Sequence, residues 1–477
     1  MTGLPAPALP ARTPRFTRFD RVVWAAMAAI IGAIALTIAL GDRVGVSIHR
    51  AAPQGEARST STVLIEFSEP MDRASVAERF SITPEIAGTI AWSGRTLLFR
   101  PAQALPPGAA ITATLASGAR SESGRELLHD VVVRFTVRQP QVAFLAPANA
   151  TPMNIWMADP AQPDGARQIT SSPSGIYDFS ISPDGGRIAF SENNTDRGTQ
   201  DIKILDLDSG ALIQATNCLD AACTNPVWRP DGSTIAYERV EFNSDLAQQG
   251  VGVSPTRIWL LDLTSLPVQT RPLFSDPQLL GHTPQWSADG QRIAIYDVSM
   301  GAILVYDLQD DSLTAVPSRA GSSGALSPDG RLLVFPEIVL QEDASAHSYL
   351  RMADLDSNSI TFLSDAPQEI DDARAVWRPD GQVLAVARRD LTTRGYQIAL
   401  LDPFSGSMRW LTDDPRYTNM FFSWDAAGEQ LVLHRFPELD ESGALNMNGQ
   451  PEIWTLDVAS GALTLVARNA FLPRWVP

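Results

Sequence analysis

Twelve carboxylates crowd four short stretches of this 477-residue chain. VEFNSDLAQQGVGVSPT (240–256), EIVLQEDASAH (337–347) and FPELDESGALNMNGQ (436–450) carry Glu241, Asp245, Glu337, Glu342, Asp343, Glu438, Asp440 and Glu441, with no lysine or arginine. SDAPQEIDDA (364–373) adds Asp365, Glu369, Asp371 and Asp372. Acids gathered on loops can steer and hold a cationic partner. The same composition also suits loops that only stay solvated. Metal chemistry is not expected of them. DLDSG (206–210) and DLQDD (307–311) lack the further ligands of a twelve-residue calcium loop and read as turns.

Other reactive residue types are sparse. The five histidines (His49, His129, His282, His347 and His434) are scattered, with no H-x-x-x-H pair. No G-x-S-x-G elbow offers a serine nucleophile. Cys218 and Cys223, close together in NCLDAACTNP, are expected to form a local disulfide if this segment lies outside the cytoplasm. Two thiols fall short of a structural zinc site, which wants four ligands. The expectation is therefore no catalytic group, no metal and no cofactor. With Asp+Glu at 54 against Lys+Arg at 37, the net charge is −17. Nucleic acid, which needs a basic footprint, is excluded as a partner.

Such loops act only where a scaffold holds them. One phrase recurs as FSISPDGGRIAFSE, PVWRPDGSTIAYER, PQWSADGQRIAIYD, GALSPDGRLLVFPE, AVWRPDGQVLAVAR and FSWDAAGEQLVLHR. Trp, Ile or Leu ends a strand, Pro presets the turn, Asp caps it, Gly accepts positive φ, and an apolar run begins the next strand. The sixth copy, WDAAG, drops the Pro-Asp pair, so its turn is expected to be less tightly specified. A second phrase, an aliphatic residue followed four positions later by Asp, occurs seven times: at Asp159, Asp206, Asp262, Asp307, Asp354, Asp402 and Asp457. The missing seventh copy of the first phrase is split. RWVP (474–477) is its front, and QVAFLAP (141–147) is its back. Repeats of 40 to 58 residues suit a four-stranded blade. The spacing predicts a seven-bladed β-propeller over 139–477, closed by pairing its last strand with its first. The three acidic insertions fall between the second and third strands of their blades. They share a face with the fourth-to-first connections. The candidate partner face is Glu241, Asp245, Glu337, Glu342, Asp343, Asp371, Asp372, Glu438, Asp440 and Glu441.

Ahead of the repeats, VVWAAMAAIIGAIALTIAL (22–40) has no charge and as a helix spans roughly 28 Å, close to a bilayer core. Arg12, Arg15, Arg18 and Arg21 precede it, so the tail 1–21 is expected in the cytoplasm and the rest across the membrane. A cleavable signal peptide is the rival reading, with Ala39 and Gly41 at a small-residue cleavage site. Residues 41–58 read as a polar linker. From 59 to 138, alternation at Val63, Ile65 and Phe67 and at Val131, Val133 and Phe135, with turns at SGR, LPPG and ESGRE, predicts an antiparallel β-sandwich.

IEFSEPMD, FSITP, the W-S-G-R-TLLFRP run, PPG and the closing G-RELL…VRFTV resemble the bacterial Ig-like domain of S-layer and other surface proteins. That resemblance implies a spacer or adhesion module. The repeat phrases resemble the WD-like PD repeat of TolB-type propellers, which implies binding on a ring scaffold. The fold class expected is all-β: a seven-bladed propeller, an Ig-like sandwich and one transmembrane helix. The function expected is a membrane-anchored, extracytoplasmic, non-catalytic binding platform in the cell envelope, facing one or more envelope proteins with a basic surface. Two alternatives stand beside it. One is an enzyme, such as a lyase or glycan hydrolase, working in the central pocket. The other is a structural surface-layer component.

Overall fold

A computed structural model of the chain describes residues 17–41, 45–242, 252–265, 267–340, 346–364 and 369–477. It divides into two compact units. One comprises Met1–Gln54, Thr62–Arg100 and Ile111–Arg134; the other comprises Gly55–Ser61, Pro101–Ala110 and Phe135–Pro477.

The apolar segment is a helix, Arg18–Gly41. Its start is capped reciprocally: Thr17 Oγ1 accepts from the Asp20 amide while Asp20 Oδ2 accepts from the Thr17 amide. Phe19, Trp24, Ile30, Ile31, Ile34 and Leu36 all point outward and exposed. The stretch Arg18–Thr37 is long and apolar enough to cross a membrane.

Two four-stranded sheets follow. One runs in the order Ile48–Ala52, Val63–Phe67, Thr96–Pro101, Gly88–Ser93. The other runs Gly55–Ala57, Val131–Val137, Ala110–Leu115, Phe80–Thr83. Alternate residues Val63, Ile65 and Phe67, and Val133, Phe135 and Val137, are buried. In the PMD signature, Met71 is buried and Asp72 accepts from the Ala74 and Ser75 amides, capping the short helix Arg73–Ala77. The segment 41–58, expected to be a linker, instead contributes Ile48–Ala52 and Gly55–Ala57 as edge strands. An edge strand is short and half wet, so its polar sequence hides it.

The repeat region has a β-propeller-like fold of four-stranded antiparallel sheets. The first sheet combines Gln141–Ala146, Asn154–Asp159 and Gln162–Gln168 with the last strand, Phe471–Val476. Trp475 pairs with Val142, and Val476 with Gln141. The second sheet is Ile176–Ile181 through Leu212–Gln214, and the third is Ala221–Trp228 through Gln269–Pro272; one parallel pair, Gln200↔Ala222, bridges them. Four more sheets begin at His282, Ala325, Ile370 and Tyr417. We call the strand that ends at the Trp position the lead strand of its sheet. Each lead strand touches the lead strand of the next sheet, and Phe471–Val476 touches both Tyr417–Trp424 and Ile176–Ile181.

The repeat phrases have mechanical roles. The indole Nε1 atoms of Trp228, Trp286, Trp377, Trp424 and Trp475 each donate to a carbonyl on the preceding lead strand, at Ser180, Val227, Ala325, Val376 and Ser423. Apolar burial and one directed bond thus fix each sheet against its neighbour. In the turns, Asp184, Asp231, Asp289, Asp329 and Asp380 accept from the amide two residues on. The sixth turn is not loose, contrary to expectation. Asp425 occupies the place of the serine in SPDG, and its Oδ1 accepts from the Glu429 and Gln430 amides. One carboxylate placed earlier replaces both the serine and the aspartate. The seven aspartates of the second phrase also cap turns: Asp206, Asp402 and Asp457, for example, accept from Ser209, Ser405 and Ser460.

Candidate functional site

The three acidic stretches, expected as insertions, begin inside the strands Thr234–Glu241, Leu332–Leu340 and Gln430–Pro437, and Glu337 is a strand residue in register with Tyr349. Each joins the second strand of its sheet to the third. Glu241 ends its strand 3.3 Å from Arg239. Glu337 is half-buried, 3.9 Å from Arg351. Glu438, Asp440 and Glu441 share one loop, folded on itself: Leu439 bridges Leu445, and Asp440 Oδ1 accepts from Ser442 Oγ and the Ala444 amide. The serine hydroxyl chiefly holds the Asp440 pKa below its usual value. Asp245, Glu342, Asp343 and Asp365 lie outside the described residues.

Asp371 and Asp372 do not belong to an exposed acidic face. They are buried strand residues, in register with Arg389 and Arg388. Asp372 is gripped by Arg388 Nε at 2.6 Å and Nη2 at 2.8 Å and accepts from Ser364 Oγ at 2.6 Å. Asp371 accepts from Arg389 Nη2 at 2.7 Å, Tyr396 Oη at 2.7 Å and the Ser348 amide at 2.9 Å. Burial works against ionising Asp371, but these three donors outweigh it and hold its pKa below the usual range. Burial, then the Asp371 carboxylate, pushes the Tyr396 phenol up. A run of acids looked unpaired in sequence because its partners lie a full hairpin away.

That network forms one wall of a cavity of 590 Å³ at the seam of the sixth and seventh sheets. Arg389, Arg394 and Tyr396 line one side. Met420, Phe436, Glu438, Leu445 and Met447 line the other. Leu445 and Met447 are exposed apolar residues, Met447 at 87%. The cavity therefore joins cations, a carboxylate and uncovered apolar surface. Its apolar half lies in FPELDESGALNMNGQ, which attracted attention in the sequence only for its acids.

A disulfide joins Cys218, in the connection between the second and third sheets, to Cys223 on the strand Ala221–Trp228; both cysteines are buried. The Cys218 amide also donates to Asp201 at 2.6 Å.

The lead strands carry a second polar constellation, absent from the sequence reading. All but the two-residue Ala325–Leu326 have a β-bulge or comparable irregularity, as at Thr224/Val227, His282/Gln285, Asp372/Arg374 and Phe471/Arg474. Asn225, Thr283, Phe421 and Leu472 take positive φ there, costly for side chains other than glycine. The turned backbone makes specific bonds: the Asn225 amide donates to Asp178 and the Thr283 amide to Glu238, both at 2.7 Å. Three residues before the Trp position stand Asp178 and Arg374; one residue before it stands Arg474. Burial pushes the Asp178 carboxyl up to about 6. Burial also lowers the Arg374 pKa. Burial first, then the charge of Arg374, lowers Arg474 to about 10, with Asp178 pulling the other way. The signal was present in RAVWRPDG and PRWVP, where arginine stands at positions that hold no basic residue in any other copy.

Residues 42–137 match the family described as bacterial Ig-like domain. No curated protein matches the chain. Among solved structures, TolB from Acinetobacter baumannii is 14% identical, with 91% of this chain and 99% of that one covered, at a TM-score of 0.42. An oligogalacturonate lyase from Vibrio parahaemolyticus is 11% identical, with 69% and 85% covered, at 0.43. The β-propeller domain of the Trilobed protease from Pyrococcus furiosus is 15% identical, with 76% and 95% covered, at 0.45.

Proposed function

We propose that this chain is a membrane-anchored envelope protein whose propeller binds a protein partner without catalysing a reaction. The helix Arg18–Gly41 anchors it, with the arginine-rich tail in the cytoplasm and the bulk outside. The Ig-like sandwich is a spacer. The repeat region is a seven-bladed ring, closed by Phe471–Val476. The circular contact of the lead strands and the chain of indole-to-carbonyl bonds support that blade count. An oxidised Cys218–Cys223 pair accords with an extracytoplasmic location.

The cavity at the seam of the sixth and seventh sheets carries the binding reading. Apolar anchors in a pocket rimmed by charge are where interface energy concentrates. Leu445 and Met447 offer the apolar contact. Glu438, Asp440 and Glu441 offer a negative rim to a partner with a basic patch. Glu241 and Glu337 spend part of their charge on Arg239 and Arg351, and Asp371 acts by holding Arg389 of the cavity wall in place.

Photo-crosslinking from position 447 in intact cells, followed by identification of the captured protein, tests this reading. One dominant protein should be captured. Capture should fall at least tenfold in a Leu445→Asp, Met447→Asp variant that keeps the parent melting temperature. Equal capture by parent and variant would overturn it.

A further inference from the structure

We propose that the centre of the propeller holds a small oxyanion, a phosphate or a carboxylate, between Arg374 and Arg474. The inference rests on the closed-ring reading above, because only a ring brings these lead strands around one axis.

Apart from the single pair Gln200↔Ala222, the lead strands are hydrogen-bonded to their own sheet on one side only, and they border one another in circular order. The indole bond from Trp424 to the Val376 carbonyl, and that from Trp475 to the Ser423 carbonyl, set the levels. Arg474 is thereby level with Val376 and Ser423, and Arg374 lies two residues, roughly 7 Å, further along the axis. Neither guanidinium forms a salt bridge with any described residue, whereas Arg388 and Arg389, on the strand next to that of Arg374 in the same sheet, both do. Arg374 Nε is buried without a hydrogen-bond partner. Arg474 has one weak contact, Nη1 to its neighbouring Pro473 carbonyl at 3.3 Å. Ser180 Oγ and Ser423 Oγ, on lead strands at the level of Arg474, are buried and unpartnered too.

Arg374 Nε and the two hydroxyls are buried without partners, as are two acceptors on the lead strands, Asp178 Oδ1 and Gln285 Oε1, so donors outnumber acceptors once Arg474 is added. Like charges held together out of water destabilise the fold unless a counter-ion joins them. A planar or tetrahedral oxyanion accepts from forked guanidiniums and hydroxyls at once. Asp178 provides one opposing carboxylate, whose Oδ2 takes the Asn225 amide. Glu238 is occupied by Asn225 Nδ2 and the Thr283 amide. Neither carboxylate pairs directly with an arginine, so the positive side remains open to a ligand.

The test is thermal melting of the full chain in non-ionic detergent. Inorganic phosphate or citrate is titrated at constant ionic strength, and calorimetric titration gives the stoichiometry. Saturable stabilisation of roughly 3 °C or more is expected by about 10 mM of one probe. A response to phosphate alone identifies the ligand as a phosphate, and a response to citrate alone as a carboxylate. Arg374→Gln and Arg474→Gln should abolish the response. In anion-free buffer Arg474→Gln should melt at or above the parent temperature, and the order should reverse once the anion is added. If either glutamine variant fails to melt cooperatively, the corresponding Arg→Lys variant is read instead and should bind at least tenfold more weakly. No saturable shift in the parent with either probe, or equal shifts in parent and variants, would overturn the proposal. Deleting 469–477 tests the ring separately, so failure of the site and failure of the ring are distinguishable.

Discussion

One strand, Ile370–Trp377, contains both of the charge environments that matter here. At its start, Asp371 and Asp372 face Arg389 and Arg388 across the sheet and are fully engaged. Past the irregularity at Asp372/Arg374, the next charged residue, Arg374, has no ion partner among the described residues. A residue that faces its own hairpin can find its counter-charge within the sheet. A residue turned toward neighbouring sheets meets whatever those sheets place there. The sign of a charged run therefore says little about the surface it makes, because pairing across strands can neutralise acids while leaving a lone arginine exposed to function.

Deleting residues 469–477 should cost most, because it removes buried Trp475 and Val476 and the pairing with Gln141–Ala146. A loss of upwards of roughly 5 kcal/mol is expected, read as a drop of about 10 °C or more in the calorimetric Tm. A truncated chain as heat-resistant as the parent would remove the ring on which the contrast depends. Asp372→Asn should follow, destabilising by about 3–5 kcal/mol because Arg388 is left buried and uncompensated. Urea melts at neutral pH measure this, and an unchanged midpoint would mean the pair is dispensable.

His434 extends the contrast to pH. Its Nε2 is unpartnered, its ring packs near Phe471 and Phe421, and burial lowers its pKa to about 4. The unfolded chain, with a pKa near 6.5, binds the proton more readily. Stability is therefore retained above pH 6.5 and falls progressively toward pH 4. His434→Gln should remove roughly 3 kcal/mol of that acid sensitivity, seen as converging melts of parent and variant as the pH falls. Asp425→Ala should cost about 1–2 kcal/mol because the Glu429 and Gln430 amides lose their acceptor. Adding Ala426→Pro and Ala427→Asp to Asp425→Ser should restore the parent melting temperature by rebuilding SPDG. Glu441→Arg, on the exposed loop, should leave the Tm within about 1 °C and alter only capture of the partner, which crosslinking yield reports.

Local chemistry made much of this molecule readable from its residues alone. Periodic Trp, Pro-Asp-Gly turns and strand-end aspartates announce repeated sheets because each acts within a few residues of itself. The apolar segment before them is legible for the same reason, since its length and lack of charge are local properties. Edge strands such as Ile48–Ala52 escaped notice because a half-wet strand has no apolar pattern to display.

The sites behaved differently. Whether Asp372 is solvated or sealed depends on Arg388, and whether Arg374 is neutralised depends on strands far along the chain. Leu445 and Met447 became a cavity wall only when their loop folded beside Arg394 and Tyr396. Backbone preferences travel with a short run of residues, so sequence determined the sheets and their turns. Electrostatic pairing and cavity shape arise between distant segments, so they existed only once the chain had folded.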